Sequence, residues 1–120
     1  MNGKMQFSSS SEYDEQVVVI QYCDLKRIPV FAIPNGGSRN KTEAAKMQAS
    51  GVKAGVPDLC IPVPSGIYHS MYIEMKYGRN KTSPLQDEWI ERLRSLGHKV
   101  CVCYGANEAI NEIEKYLGGK

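Results

Sequence analysis

Long apolar runs are missing from this chain. Stretches such as Val17 to Ile20 fall far short of the roughly 20 residues needed to cross a bilayer, and no basic-plus-apolar N-terminal signal precedes them. The sequence therefore predicts no membrane association and a cytoplasmic location. Paired cysteines are missing too. Cys23, Cys60, Cys101 and Cys103 contain no C-x-x-C spacing, which removes the usual zinc pattern and the thioredoxin-like redox motif. Reduced, buried thiols acting as small hydrophobes fit this pattern and a reducing compartment. No excess of one charge stands out: 15 Lys and Arg face 13 Asp and Glu, for a net charge of +2. The pI near 8.3 is milder than the value above about 9 that marks a strongly basic nucleic-acid binder, so global charge says little about partners. His69 and His98, the two histidines, have no partner spacing for catalysis or metal binding and read as surface residues.

With 42% hydrophobic and 23% charged residues and a mean hydropathy of −0.39, the composition is that of an ordinary globular domain. The 120 residues, without internal repeat or long linker, supply one such domain. Residues 1–10 are polar and run into the serines Ser8 to Ser11, which predicts a flexible leader ahead of a single domain over 11–120.

Ser11 with Asp14 three residues on predicts a helix start, and the helix extends to about Lys26 with Val17, Val18, Ile20, Tyr22 and Leu25 on its buried side. Val30 to Ile33 reads as a strand stopped by Pro34, Asn35, Gly36 and Gly37. Asn40 caps a second helix over 41–50, and Gly51 suits its C-terminal end. Strands follow over 58–63 and 70–76, joined through Pro64, Ser65 and Gly66. Ser83, Pro84 and Gln86 combine a cap, a first-turn proline and a capping box, starting a helix to about Leu96. Leu85, Trp89, Leu93 and Leu96 form its core stripe. A strand over 100–104 and a last helix, capped by Asn107 and ending near Leu117, complete the order α, β, α, β, β, α, β, α. The expected fold class is α/β, with a central four-stranded mixed sheet flanked by helices.

Chemistry concentrates on the strand over 70–76. Alternation puts Tyr72, Glu74 and Lys76 on one face and Met71, Ile73 and Met75 on the other. Two charges on a core-facing side are costly unless they pair or hold a metal, and pairing alone would account for them. The neighbouring strand opens with Pro57 and Asp58, which brings a second carboxylate toward Glu74. Two acids suit Mg²⁺, which takes oxygen ligands from one or two carboxylates plus waters, and the Met75 carbonyl could add a third ligand. Lys76 then lies where its charge favours hydroxide and the negative charge developing on a phosphate. E-x-K alone is a weak signal. Asp24-Leu25-Lys26 repeats the spacing on a predicted helix, where residues two apart face different ways.

Asn35-Gly36-Gly37-Ser38-Arg39, Gly51-Val52-Lys53-Ala54-Gly55-Val56-Pro57-Asp58-Leu59, Ile73-Glu74-Met75-Lys76 and Ser83-Pro84-Leu85-Gln86, in that order, resemble the virus-type replication-repair nuclease (VRR-NUC) family of the PD-(D/E)xK superfamily. The likeness runs from Glu12 to Leu117. It implies a restriction-endonuclease-like fold and hydrolysis of DNA phosphodiesters dependent on Mg²⁺ or Mn²⁺, with no small-molecule cofactor. By match to the family pattern, Asp58 and Glu74 are metal ligands, Lys76 is the catalytic lysine and Gln86 is the family's glutamine after the catalytic strand. Gln86 could equally just close the capping box with Ser83. The family's acid on the first helix is best matched by Glu12, four residues before Gln16, with Glu15 as the alternative. Asn35, Gly36, Arg39, Lys41 and Lys53 are the expected nucleic-acid contacts, although Asn35-Gly36-Gly37 would also serve as a plain turn. Arg79 and Lys81 either touch DNA or lie in a solvated loop. Stand-alone members of this size imply a homodimer acting on four-way (Holliday) junctions in DNA repair, whose two-fold symmetry a dimer would match. The alternative function is a nucleic-acid-binding module without catalysis.

Overall fold

The computed structural model describes residues 11–35 and 40–118. Its elements follow the expected order: α1 (Glu12–Leu25), β1 (Phe31–Ala32), α2 (Lys41–Ala49), β2 (Leu59–Ile61), β3 (Met71–Lys76), α3 (Pro84–Ser95), β4 (Lys99–Tyr104) and α4 (Ala106–Gly118). The sheet runs β1-β2-β3-β4. The β1/β2 and β2/β3 pairs are antiparallel and β3/β4 is parallel, so the sheet is mixed, as the sequence predicts. The strands β1 and β2 are shorter than their sequence signals. Pro62 and Pro64 have no N–H to give to a ladder and confine β2 to three residues.

Alternation along β3 separates two cores. Met71, Ile73 and Met75 are fully buried against α1 and α4, together with Val19, Cys23, Leu59, Ile61, Cys103, Ala109 and Ile113. The opposite face is thinner: Ile90, Leu93 and Val100 pack with Tyr72, Trp89 and Val102 beneath α3. Near the end of β3 this second core gives way to the Glu74 and Lys76 side chains, which are buried rather than exposed to water. The fold thus leaves its polar group at the end of the smaller core.

Capping explains where the helices start. In α1 the Ser11 hydroxyl accepts from the Asp14 N–H and the Asp14 carboxylate accepts from the Ser11 N–H, both at 3.2 Å. In α3 the same reciprocal box joins Ser83 and Gln86. The last helix differs from expectation. It begins at Ala106 rather than after an Asn107 cap, because the Glu15 carboxylate of α1 accepts the Ala106 N–H at 2.8 Å. An anion at a helix N-terminus is favourable, and this one ties α1 to α4.

Two expected core stripes need correction. In α1, Leu25 is 81% and Val18 44% exposed, and the buried residues are Val19 and Cys23, one turn apart. Four consecutive apolar residues at 17–20 go right round the helix, so periodicity does not single out one face. In α3, Leu85 and Leu96 are exposed, Ile90 and Leu93 are buried, and Trp89 lies half-buried beneath the Arg92 guanidinium at 4.8 Å from the ring centre. The cysteines are free thiols, as expected. Burial pushes Cys23 and Cys101 up to about 11 and Cys103 up to about 12, which keeps them protonated and unreactive at neutral pH.

Gly55 sets the position of α3 against the loop that leads into β2. Its φ is +92°, and a Cβ there would come within 2.8 Å of the Leu85 main-chain carbon. Gly55→Ala is expected to destabilise the domain by about 1–3 kcal/mol through backbone strain and this clash. Thermal unfolding measures it, and an unchanged melting temperature would contradict the contact.

Candidate active site

Asp58 sits one residue ahead of β2 but already takes part in the sheet. Its N–H donates to the Ile73 carbonyl at 3.0 Å, and its carbonyl accepts from the Ile33 N–H at 2.8 Å. Pro57, fully buried, fixes the chain just before it. The Asp58 carboxylate is held at both oxygens: Oδ2 accepts from the Met75 N–H at 2.7 Å, and Oδ1 accepts from the Asn35 side-chain amide at 3.1 Å. Main chain of β3 and side chain of the β1–α2 loop therefore aim one carboxylate.

Glu74 is 1% exposed on the α3 face of β3. Its Oε2 accepts from the Gln86 side-chain amide at 3.2 Å. Its Oε1 is buried with no hydrogen-bond partner among the described residues. Gln86 performs both of the roles the sequence left open, since its carbonyl oxygen caps Ser83 while its amide nitrogen binds Glu74. Burial, followed by the charge of Asp58 and a hydrogen bond shared with it, pushes the Glu74 carboxyl up to about 8, with Lys76 opposing. Glu74 therefore tends to keep its proton near neutral pH.

Lys76 lies two residues further on the same face, 8% exposed, and makes no ion pair within 4 Å among the described residues. Glu12, the first residue of α1, completes the group. Its carboxyl is raised by burial first and then by the charge of Asp58, while Lys76 lowers it. Of the two acids of the first helix, Glu12 feels the charges of Asp58 and Lys76, and Glu15 is committed to the start of α4.

The donor chemistry fits a hard divalent cation. A fully buried carboxylate oxygen without a donor, beside a second carboxylate, is satisfied by a cation as well as by a proton. No three His, Cys, Asp or Glu side chains form a closed metal cage among the described residues. The arrangement is instead the open one of two carboxylates, which suits Mg²⁺ or Mn²⁺ keeping several waters. Met75 enters through its main chain, with its N–H on Asp58 and its side chain fully buried on the other face.

The expected nucleic-acid contacts are less concentrated. Asn35 points to Asp58 instead of standing free, a role that the Asn-Gly-Gly turn signal masks. Lys41, at the start of α2, and Lys53 are both exposed, and α2 buries no side chain. Gly36 and Arg39 lie outside the described residues. The Asp24-Leu25-Lys26 repeat of the E-x-K spacing is exposed at the end of α1. His98 departs from expectation. It is half-buried, with Nδ1 at 2.7 Å from the Ser70 hydroxyl and its ring edge-on to Tyr72 at 5.3 Å, at the end of β3 remote from Lys76.

The VRR-NUC domain model matches residues 7–107. A solved structure described as a VRR_NUC domain protein superposes with a TM-score of 0.78 at 32% identity, covering 92% of this chain and 91% of that one. No curated protein matches the sequence. Sequence model and backbone agree, and the chain belongs to the VRR-NUC family of nuclease-type domains.

Proposed function

We propose that the protein is a DNA endonuclease dependent on Mg²⁺ or Mn²⁺, with Asp58, Glu74 and the Met75 carbonyl holding the metal and Lys76 acting on the phosphate. The observation that carries this reading is the buried, unpartnered Glu74 Oε1 beside Asp58, on the same strand face as Lys76. A cation bound there supplies Lewis acidity toward the phosphodiester.

The chain's own residues do the rest. Gln86 holds Glu74 through Oε2, which leaves Oε1 as the oxygen that would bind the metal. Asn35 and the Met75 N–H fix the Asp58 carboxylate. Water attacks phosphorus and releases a proton to solvent, the P–O ester bond breaks, and the departing alkoxide takes up a proton from solvent. Negative charge builds on the phosphate as this happens, and the buried Lys76 ammonium offsets it where the effective permittivity is low. Glu12 adds a further carboxyl within electrostatic reach of Asp58 and Lys76. DNA as substrate and the protein's own chain as partner complete the proposal: a homodimer with two equivalent sites, selective for branched DNA such as four-way junctions. A second copy would add surface for gripping a branched substrate, since specific DNA interfaces bury roughly 1,000–2,500 Å² of protein.

Lys76→Ala is expected to lower single-turnover cleavage by at least about 10²-fold while changing DNA affinity little, because one ammonium among many adds little to phosphate attraction. Asp58→Asn is expected to weaken Mn²⁺ binding in calorimetry, an amide being a poorer ligand for a hard cation. Cleavage within a few fold of the parent would remove Lys76 from the mechanism, and parent-like Mn²⁺ affinity would return the acids to a purely structural network. For the assembly, light scattering is expected to give twice the chain mass, and competition to favour junction over linear duplex. A monomer that cuts both substrates equally would refute the dimer and leave the metal site standing.

A further inference from the structure

The connection from β3 to α3 begins directly after Lys76, and nothing apolar anchors its first half. Tyr77, Gly78, Arg79, Asn80 and Lys81 are all exposed. Three contacts set its shape. Gly78 takes φ +64°, the Asn80 N–H donates to the Tyr77 carbonyl at 3.3 Å to close a turn, and the Tyr104 hydroxyl donates to the Asn80 carbonyl at 2.7 Å. The first two are local and determine only the form of the turn. Among the described residues, the Tyr104 hydroxyl is the hydrogen bond that ties it to the sheet.

The position of Tyr104 gives that tie its meaning. In the parallel β3/β4 ladder Tyr104 pairs with Lys76, and paired residues of a ladder project to the same face. Val102, two residues earlier, packs into the α3-side core with Tyr72, which confirms the face. The tyrosine therefore stands beside the lysine and reaches up to the turn that follows it. Its own N–H is held by the Glu108 carboxylate at 2.8 Å, so the strand end carrying it is fixed. The far end of the connection is also secured, by Thr82 on Asp87 and by the Ser83–Gln86 box that leads to Glu74.

A turn built in this way presents Arg79 and Lys81 on either side of Asn80. Neither has a carboxylate within 4 Å among the described residues. Arg79 lies three residues past Lys76, at most about 10 Å along an extended chain. On each strand of duplex DNA a phosphate recurs every ~3.4 Å of axis, so the two cations are placed to meet phosphates next to one held at Lys76. We propose that Arg79 and Lys81 form a phosphodiester-binding clamp flanking the scissile phosphate, and that Tyr104 is the positioning residue that holds it. The proposal rests on the nuclease reading of the Asp58, Glu74 and Lys76 site.

The test uses the full chain and a fluorescein-labelled DNA duplex and four-way junction. Affinity is measured in EDTA between 50 and 200 mM salt, and cleavage is measured with Mn²⁺. Arg79→Ala and Lys81→Ala are each expected to reduce the slope of log affinity against log salt by about 1. Tyr104→Phe, which removes only the hydroxyl, is expected to raise both Kd and KM by about three- to tenfold with kcat retained. Arg79→Ala is expected to cost less in the Tyr104→Phe background than in the parent, since the clamp is already displaced. Unchanged salt slopes, or a Tyr104→Phe protein with parent-like Kd and KM, would overturn the proposal, as would a parent that binds no DNA. Failure of the nuclease reading looks different: the parent would cut nothing with Mn²⁺ although the salt slopes still fell.

Discussion

Everything near the end of β3 depends on one costly juxtaposition, the Asp58 and Glu74 carboxylates held together with one Glu74 oxygen out of reach of any donor among the described residues. A buried polar atom left without a partner costs about 1–3 kcal/mol, and more when charged. A fold under selection for stability alone would replace it, since apolar residues of similar volume are often at least as stable as buried ionic groups. Here the surroundings reinforce it. Gln86 takes Oε2, Asn35 and the Met75 N–H take both Asp58 oxygens, and the charge of Lys76 favours ionised Glu74. Each of these contacts narrows the geometry of the carboxylates and leaves the same oxygen open.

The architecture can be read as the means of placing those groups. Asp58 precedes β2, Glu74 and Lys76 lie on β3, Glu12 opens α1 and Gln86 sits in the first turn of α3. The larger core under α1 and α4 supplies rigidity to β3 from one face. The smaller core under α3 stops short of Glu74, and this is what lets a polar group occupy the strand end. Two close backbone approaches hold the helices in register with the site: Glu15 at the start of α4, and Gly55 against Leu85. The residues that touch the site and those that brace it thus come from different parts of the chain.

Much of this was legible from residue types. Element order and the two faces of β3 follow from capping residues and from strict alternation, both local signals. The Pro-Asp strand start and the E-x-K strand point to Asp58, Glu74 and Lys76 because carboxylates and a lysine on a buried face demand a reason. Other features were hidden because they rest on contacts distant in sequence. Glu15 and Glu12 lie three residues apart on α1, and only the placement of α4 separates a helix cap from a member of the site. Asn35 before two glycines reads as a turn residue, and its bond to Asp58 spans 23 positions. Tyr104 carries no sequence signal beyond ending a strand, since its partner is a main-chain carbonyl. The misplaced stripes on α1 and α3 arose where apolar residues outnumber the positions that a helix can bury.

The proposed divalent-cation site lies between the open Glu74 oxygen and Asp58. Crystals grown with Mn²⁺, with data collected for manganese anomalous scattering, test it most directly. An anomalous peak is expected at about 2.2 Å from an Asp58 carboxylate oxygen and from Glu74 Oε1, with Gln86 still bonded to Oε2. Saturating Mn²⁺ with no peak between these two carboxylates, or with a peak only elsewhere on the molecule, would contradict it.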